Sequence, residues 1–110
     1  MGRKNVLRLK AIKKIHRFAK LLKKEKIPIS QFILFGSYSS GQPKKYSDID
    51  LCIISPSFGK DSIKERVKLS LLADKIDWRI EPHPYNPEDF SVEEDPFASE
   101  IRKTGIIINL

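Results

Sequence analysis

Residues 48–54, DIDLCII, place two aspartates at alternate positions of an apolar segment. In a strand, this alternation puts the aliphatic side chains of 49, 51 and 53 on one face and Asp48, Asp50 and Cys52 on the other. The α-carbons of the two aspartates then lie about 6.6–6.8 Å apart. Two such carboxylates repel each other unless a cation lies between them or one stays protonated. The pattern favours a divalent metal site, although an isolated Asp-x-Asp is also typical of a strand with a solvated face.

A Gly-Ser pair precedes these aspartates. The apolar stretch SQFILFGS predicts a short buried strand that ends at Gly36, where a tight turn or short helix begins. Glycine lets the backbone approach a ligand closely, and the Ser37 hydroxyl with free amides at a helix start suits a phosphate. Lys44 and Lys45 follow in the connection and could reach phosphate oxygens, although solvated loop lysines are the simpler interpretation.

The other segments predict the element order α-β-β-α-β-α-β. The first helix is expected at about residues 5–26, and a second follows a capping box from Ser62 to Glu65. A third strand is expected at residues 75–81, and a third helix between Asp95-Pro96 and Gly105, with a terminal apolar strand after it. The apolar stripe of the second helix is predicted to comprise Ile63, Val67, Leu71, Leu72 and Ile76. The prolines at 82, 84 and 87 are expected to end the third strand.

These elements indicate one α/β (α+β) domain over residues 1–110. The short link between the first two strands predicts an antiparallel pair, so the sheet should be mixed, with helices packed on one face. No run of about 18 apolar residues is present, so no membrane span is expected. The basic N-terminus lacks the apolar core and cleavage site of a secretory signal. The single Cys52 indicates a reduced, cytoplasmic protein, and one cysteine with two histidines excludes a structural zinc cage.

Charge is distributed unevenly along the chain. The net charge is +7, and residues 1–26 carry eleven Lys or Arg and a single acid, Glu25, whereas residues 82–101 carry six acids and no Lys or Arg. The basic first helix is compatible with a nucleic acid or an acidic protein as partner. It is equally what a solvated amphipathic surface helix shows.

Gly36-Ser37, ten intervening residues and Asp48-Ile49-Asp50 together resemble the motif of the nucleotidyltransferase fold of the DNA polymerase beta superfamily. An apolar strand before the Gly-Ser, an apolar strand around the aspartates and a helix ahead of both agree with that fold. At this length, the chain is similar to the minimal nucleotidyltransferase family, many of whose members are antitoxins paired with HEPN-domain toxins.

The resemblance implies a magnesium-dependent transfer of a nucleoside monophosphate from a triphosphate, with AMP from ATP the expected case, to a protein or RNA hydroxyl. Gly36 and Ser37 would hold the triphosphate, and Asp48 and Asp50 would bind two Mg²⁺ ions. A third acid on a neighbouring strand would complete the site and deprotonate the attacking hydroxyl. Glu81 is favoured for this role, with Asp77 as the alternative.

A chain of this length has little room to bind the acceptor. A HEPN-type toxin or a second copy of the chain would therefore supply part of that site. Two other functions remain open, a non-catalytic antitoxin of the same fold and a basic nucleic-acid-binding domain without turnover. His83 could contact substrate, but its flanking prolines favour a structural or solvated residue.

Overall fold

The computed structural model describes residues 2–41 and 43–110, and the side chains of 3, 4 and 40 are left aside. Five helices and four strands are present in this part of the chain. They are α1 (Arg3–Lys24), β1 (Gln31–Phe35), α2 (Ser37–Ser40), β2 (Ile49–Ile54), α3 (Ser62–Asp74), β3 (Ile80–Tyr85), α4 (Pro87–Phe90), α5 (Pro96–Thr104) and β4 (Ile106–Ile108). The order matches the sequence prediction except for the one-turn helices α2 and α4, which are too short to produce a periodic apolar pattern.

The four strands form one mixed sheet in the order β3-β2-β1-β4. β1 pairs antiparallel with both β2 and β4, and β2 pairs parallel with β3. The antiparallel first pair and the mixed sheet are therefore confirmed. The register sets Asp50 opposite Phe35 on one side and opposite Glu81 on the other.

Helix α1 covers one face of the sheet with an apolar stripe. Ile15, Phe18 and Leu22 are fully buried at spacings of three and four residues, and they join Phe32 and Leu51 in the larger core cluster. Burying each such side chain contributes roughly 1.5–3 kcal/mol. The helix ends at Lys24, ahead of Pro28, which cannot continue it.

The opposite face of the sheet is also covered, which corrects the expectation of helices on one face. Phe90 from α4 and Ala98 and Ile101 from α5 pack against Ile33 and Cys52. β1 and β2 are apolar on both faces at these positions, so each face requires a covering layer. The N-cap of α5 is as predicted, because the Asp95 side chain accepts hydrogen bonds from the amides of the first turn.

Helix α3 differs from the prediction in its cap and in its buried face. Asp61, not Ser62, is the N-cap and accepts from the Lys64 amide at 3.1 Å. The Glu65 carboxylate accepts from amides of the preceding loop, with the Gly59 N–H at 2.9 Å. The predicted capping box, which begins at Ser62, is therefore wrong by one residue, because the helix begins after Asp61.

Three of the five residues in the predicted stripe of α3 face solvent. Ile63, Val67 and Leu71 are 76%, 54% and 63% exposed, whereas Leu69 and Leu72 are buried. The helix carries two apolar stripes, and only the one containing Leu69 packs against the core that α1 and the sheet form. Helical periodicity alone does not distinguish them.

Strand β3 begins later than predicted and continues through two prolines. It runs from Ile80 to Tyr85, while residues 75–79 form turns. The Arg79 carbonyl accepts a hydrogen bond from the Ile49 amide, and the Tyr85 carbonyl accepts one from the Ser55 amide. The backbone N–H and C=O groups of odd-numbered residues in β3 therefore point towards β2. Pro82 and Pro84 therefore direct their ring nitrogens towards the open edge of the sheet, where no donor is required.

Candidate active site

The turn after β1 begins with a glycine that no other residue would replace without strain. Gly36 has φ 73° and ψ −144°, a conformation nearly restricted to glycine. A Cβ built on Gly36 would lie 2.3 Å from the Asp50 Oδ2 atom. The backbone of this turn therefore lies directly against the carboxylate of Asp50, and Ser37 follows as the first residue of α2.

An arginine of α1 holds this turn in place. The Arg8 guanidinium donates two hydrogen bonds to the Tyr38 carbonyl, from Nε at 3.0 Å and from Nη2 at 2.8 Å. The Tyr38 side chain is buried in the main core. Charge-assisted bidentate donation of this kind fixes orientation as well as distance. Sequence reasoning considered the basic helix only as a surface and missed this positioning role.

Three side chains from β2 and β3 converge beside the Gly36 turn. Asp50, Glu81 and His83 each offer a ligand atom, and these atoms all lie within 4.8 Å of one another. The His83 Nε2 atom is 3.7 Å from Asp50 Oδ1 and 3.9 Å from Glu81 Oε1. The parallel register sets Asp50 opposite Glu81, and the alternation of β3 places His83 on the same face two residues later.

His83 is the residue of this cluster that sequence reasoning set aside. Its Nε2 atom is buried and has no hydrogen-bond partner in the described part of the chain. The imidazole contacts the rings of Phe35 and Phe97, with centroids 5.1 and 5.4 Å away. The spacing Glu81-x-His83 would have revealed the pair, had the strand been predicted to continue past Pro82.

The alternative third acid, Asp77, occupies a different environment. Its carboxylate forms ion pairs with Arg79, at 2.8 Å, and with Lys14 of α1. The hydrogen bonds from Arg79, together with the one from Lys14, hold the pKa of this carboxyl well below its usual range. Asp77 lines a cavity of about 340 Å³ with Tyr38 and Ile49, on the α1 side of the sheet. The structure thus brings Glu81, and not Asp77, beside Asp50.

The other predicted site residues lie around the cluster. Asp48 is exposed immediately before β2 and is not among the three converging residues. Lys44 and Lys45 are exposed in the loop that leads to it, where the Lys44 amide donates to the Ser47 hydroxyl and the Lys45 carbonyl accepts from Arg79. Their proposed contacts with phosphate stay predictions.

The donor set at Asp50, Glu81 and His83 fits a divalent cation. Two carboxylates supply oxygen donors, and the described residues leave the buried imidazole nitrogen unpaired as a further donor. Glu81 is also 3.4 Å from the Arg66 guanidinium, but both side chains are about half exposed, so this ion pair contributes little. The backbone of the Gly36 turn lies beside this cluster.

Comparison with known proteins defines the family. The model of the family described as "Nucleotidyltransferase domain" matches residues 12–108, which include the Gly36 turn and all three converging side chains. The chain belongs to this family. The resemblance recognised from the Gly-Ser and Asp-x-Asp motif is thereby confirmed. Both the turn and the strand with the aspartates lie inside the matched region.

Relatives of this nucleotidyltransferase domain are known by sequence and by structure. The "Probable protein adenylyltransferase MntA" of Haemophilus influenzae is 32% identical over 74 residues, which are 67% of this chain and 60% of that protein. This chain thus spans less than two thirds of that relative's length.

Two solved structures share the fold. A toxin-antitoxin structure with AMP-PNP has a TM-score of 0.60 and 26% identity, covering 89% of this chain and 72% of the other. The toxin-antitoxin MntA-HpeT in a mutant form has a TM-score of 0.58 and 22% identity, covering 86% and 71%. No helix in the described residues is both long enough and apolar enough to cross a membrane.

Proposed function

We propose that this chain transfers a nucleoside monophosphate, AMP from ATP, to a hydroxyl group on a partner protein. The observation that carries the proposal is the contact between the Gly36 turn and Asp50, since a Cβ at Gly36 would lie 2.3 Å from Oδ2. A turn suited to phosphate and a carboxylate cluster suited to a cation therefore adjoin, as a metal-bound triphosphate requires. Membership in the nucleotidyltransferase family supports the reaction class.

Each residue of the site has a role in this proposal. Asp50 and Glu81, together with Asp48 immediately before β2, would hold two Mg²⁺ ions, and Gly36 and Ser37 would bind the phosphates. The metal, when bound by these carboxylates, would supply positive charge to the triphosphate and to the attacking and leaving oxygens. We propose that Lys44 and Lys45, which are exposed in their loop, contribute positive charge to binding of the phosphates.

The transfer step is an in-line displacement at the α-phosphorus. Glu81 accepts the proton of the acceptor hydroxyl, and the hydroxyl oxygen forms a bond to the α-phosphorus. The bond from the α-phosphorus to the oxygen bridging to the β-phosphate breaks, and pyrophosphate leaves. The residues contribute mainly position and charge, which a small scaffold is able to supply.

The nucleotide and the partner are proposed by similarity. The relative from H. influenzae is named a probable protein adenylyltransferase, and one structural neighbour is a toxin-antitoxin with AMP-PNP. We infer that ATP is the donor and that a HEPN-type toxin carries the acceptor hydroxyl, with a homodimer as the other source of an acceptor surface. Binding of nucleic acid through the basic face of α1 stays a prediction.

The proposal is tested with purified protein, ATP labelled at the α-phosphate, Mg²⁺ and a candidate toxin. Label should transfer to the toxin, and the double variant Asp48→Asn with Asp50→Asn should abolish transfer. Glu81→Gln should reduce transfer far more than Asp77→Asn, because only Glu81 lies beside Asp50. Transfer that survives the double variant would exclude the proposed metal site. Binding of the toxin without any transfer by the wild-type chain would favour the non-catalytic antitoxin.

A further inference from the structure

We propose that His83 is a direct metal ligand and that its Nε2, with one oxygen each from Asp50 and Glu81, forms a transition-metal site that fills without nucleotide. The inference rests on the proposed function only in assigning a cation to this cluster. It departs from that proposal in the ligand set and in the metal, because an all-carboxylate magnesium site would make no use of His83.

The two distances from His83 allow one ion to contact the imidazole and either acid, and the ligand atoms of the two acids lie within 4.8 Å of each other. Ligand atoms that bind one ion at about 2.0–2.2 Å are separated by at most about 4.4 Å. The Nε2 atom lies 3.7 Å from Asp50 Oδ1 and 3.9 Å from Glu81 Oε1, both inside that limit. Both distances exceed the range of a hydrogen bond, so neither acid satisfies the imidazole directly.

The surroundings of His83 support the same assignment. Its side chain is 13% exposed, and the Nε2 atom is buried without a hydrogen-bond partner among the described residues. Contacts with the rings of Phe35 and Phe97 restrict rotation of the imidazole and keep this nitrogen beside the carboxylates. A buried polar atom without a partner is unfavourable, and a cation between the three groups would satisfy it.

The donor types determine which ions bind best. Mg²⁺ prefers oxygen ligands and retains most of its water, whereas an imidazole nitrogen favours Co²⁺, Ni²⁺ or Zn²⁺. Two carboxylates and one imidazole leave coordination positions open for phosphate oxygens or water. The site therefore binds Co²⁺ or Zn²⁺ more tightly than Mg²⁺, and His83 increases that difference.

The test uses Co²⁺ alone, without nucleotide, and the full chain. The chain has two histidines, and His16 is exposed, so paramagnetic broadening of imidazole proton signals distinguishes the two residues. Substoichiometric Co²⁺ should broaden the His83 signals before those of His16. Visible absorption and calorimetric titrations should show that His83→Phe weakens Co²⁺ binding by at least about tenfold and leaves Mg²⁺ binding unchanged.

Matched variants separate ligation from packing. His83→Phe retains a ring between Phe35 and Phe97, and His83→Gln keeps a polar group, while His16→Gln removes the other histidine and should not alter Co²⁺ affinity. The inference is overturned if His83→Phe binds Co²⁺ as tightly as wild type, if His16 broadens first, or if wild type does not bind millimolar Co²⁺. The broadening experiment needs no variant, so it decides the matter even if the substitutions unfold the chain.

These results are independent of the label-transfer assay. Co²⁺ binding that depends on His83, without any nucleotide transfer, would support the metal site and contradict the proposed function. Transfer that persists in a chain whose His83 does not coordinate Co²⁺ would support the function and overturn the metal ligand.

Discussion

Replacing Gly36 with alanine tests the contact on which the site depends. The residue has φ 73° and ψ −144°, and the new Cβ would lie 2.3 Å from Asp50 Oδ2. An alanine in this backbone region costs about 1–3 kcal/mol. Moving the Asp50 side chain off its preferred rotamer adds about 0.5–1.5 kcal/mol. We expect the free energy of unfolding to fall by about 1.5–4.5 kcal/mol, which most domains of this size tolerate.

Loss of stability in Gly36→Ala should be accompanied by loss of metal binding, because the new Cβ displaces Asp50. Urea unfolding should show the loss of stability, and calorimetry with Mn²⁺ should show that displacement of Asp50 weakens metal binding by at least about tenfold.

Gly59→Ala is the matched control for that variant. Gly59 has φ 104°, and a Cβ there would lie 2.3 Å from the Asn86 Nδ2 atom, outside the cluster. It should lose similar stability and keep its metal affinity. Gly36→Ala within about 0.5 kcal/mol of wild type, or with unchanged Mn²⁺ affinity, would refute the reasoning.

Three further predictions concern stability and reactivity. Leu69→Ala should lower the free energy of unfolding by about 2–5 kcal/mol, because Leu69 is buried, whereas the exposed Val67→Ala should change it by less than about 0.5 kcal/mol. Equal losses of stability in urea unfolding would contradict the orientation of α3. Because the folded pKa of Asp77 is depressed, its ion pairs stabilise the fold above the unfolded pKa of about 3.9, and this contribution is lost as pH falls below it. Asp77→Asn should therefore lower the free energy of unfolding at pH 7 and lower it progressively less towards pH 3, whereas the exposed control Asp74→Asn should not show this trend. If the loss caused by Asp77→Asn does not shrink as pH falls, the ion pairs are not its cause. Burial raises the pKa of the Cys52 thiol to about 12, so a thiol reagent at pH 8 should modify it only at the rate of unfolding; rapid modification of the folded chain would contradict its burial.

Local sequence determined those features whose residues lie close together in the chain. The stripe of α1, the Asp95 cap of α5 and the alternation of residues 48–54 each involve residues a few positions apart, so elementary geometry and capping chemistry suffice. The Gly-Ser and Asp-x-Asp pair likewise indicated the family, because the turn and the strand that carry it adjoin in the chain. Glu81 was favoured by resemblance alone, and the parallel register then placed it opposite Asp50.

Only the tertiary structure decided which of several locally acceptable patterns is used. α3 has two apolar stripes, and packing against α1 and the sheet buries the one with Leu69. Pro82 and Pro84 were predicted to end a strand. Because β3 lies at the sheet edge, their missing backbone N–H groups would have had no partner strand, so the strand continues through them. That same edge position carries His83 to within 3.7 Å of Asp50. Sequence spacing fixes neighbours along one strand, whereas contacts between strands depend on register, and register is set by what the whole sheet buries.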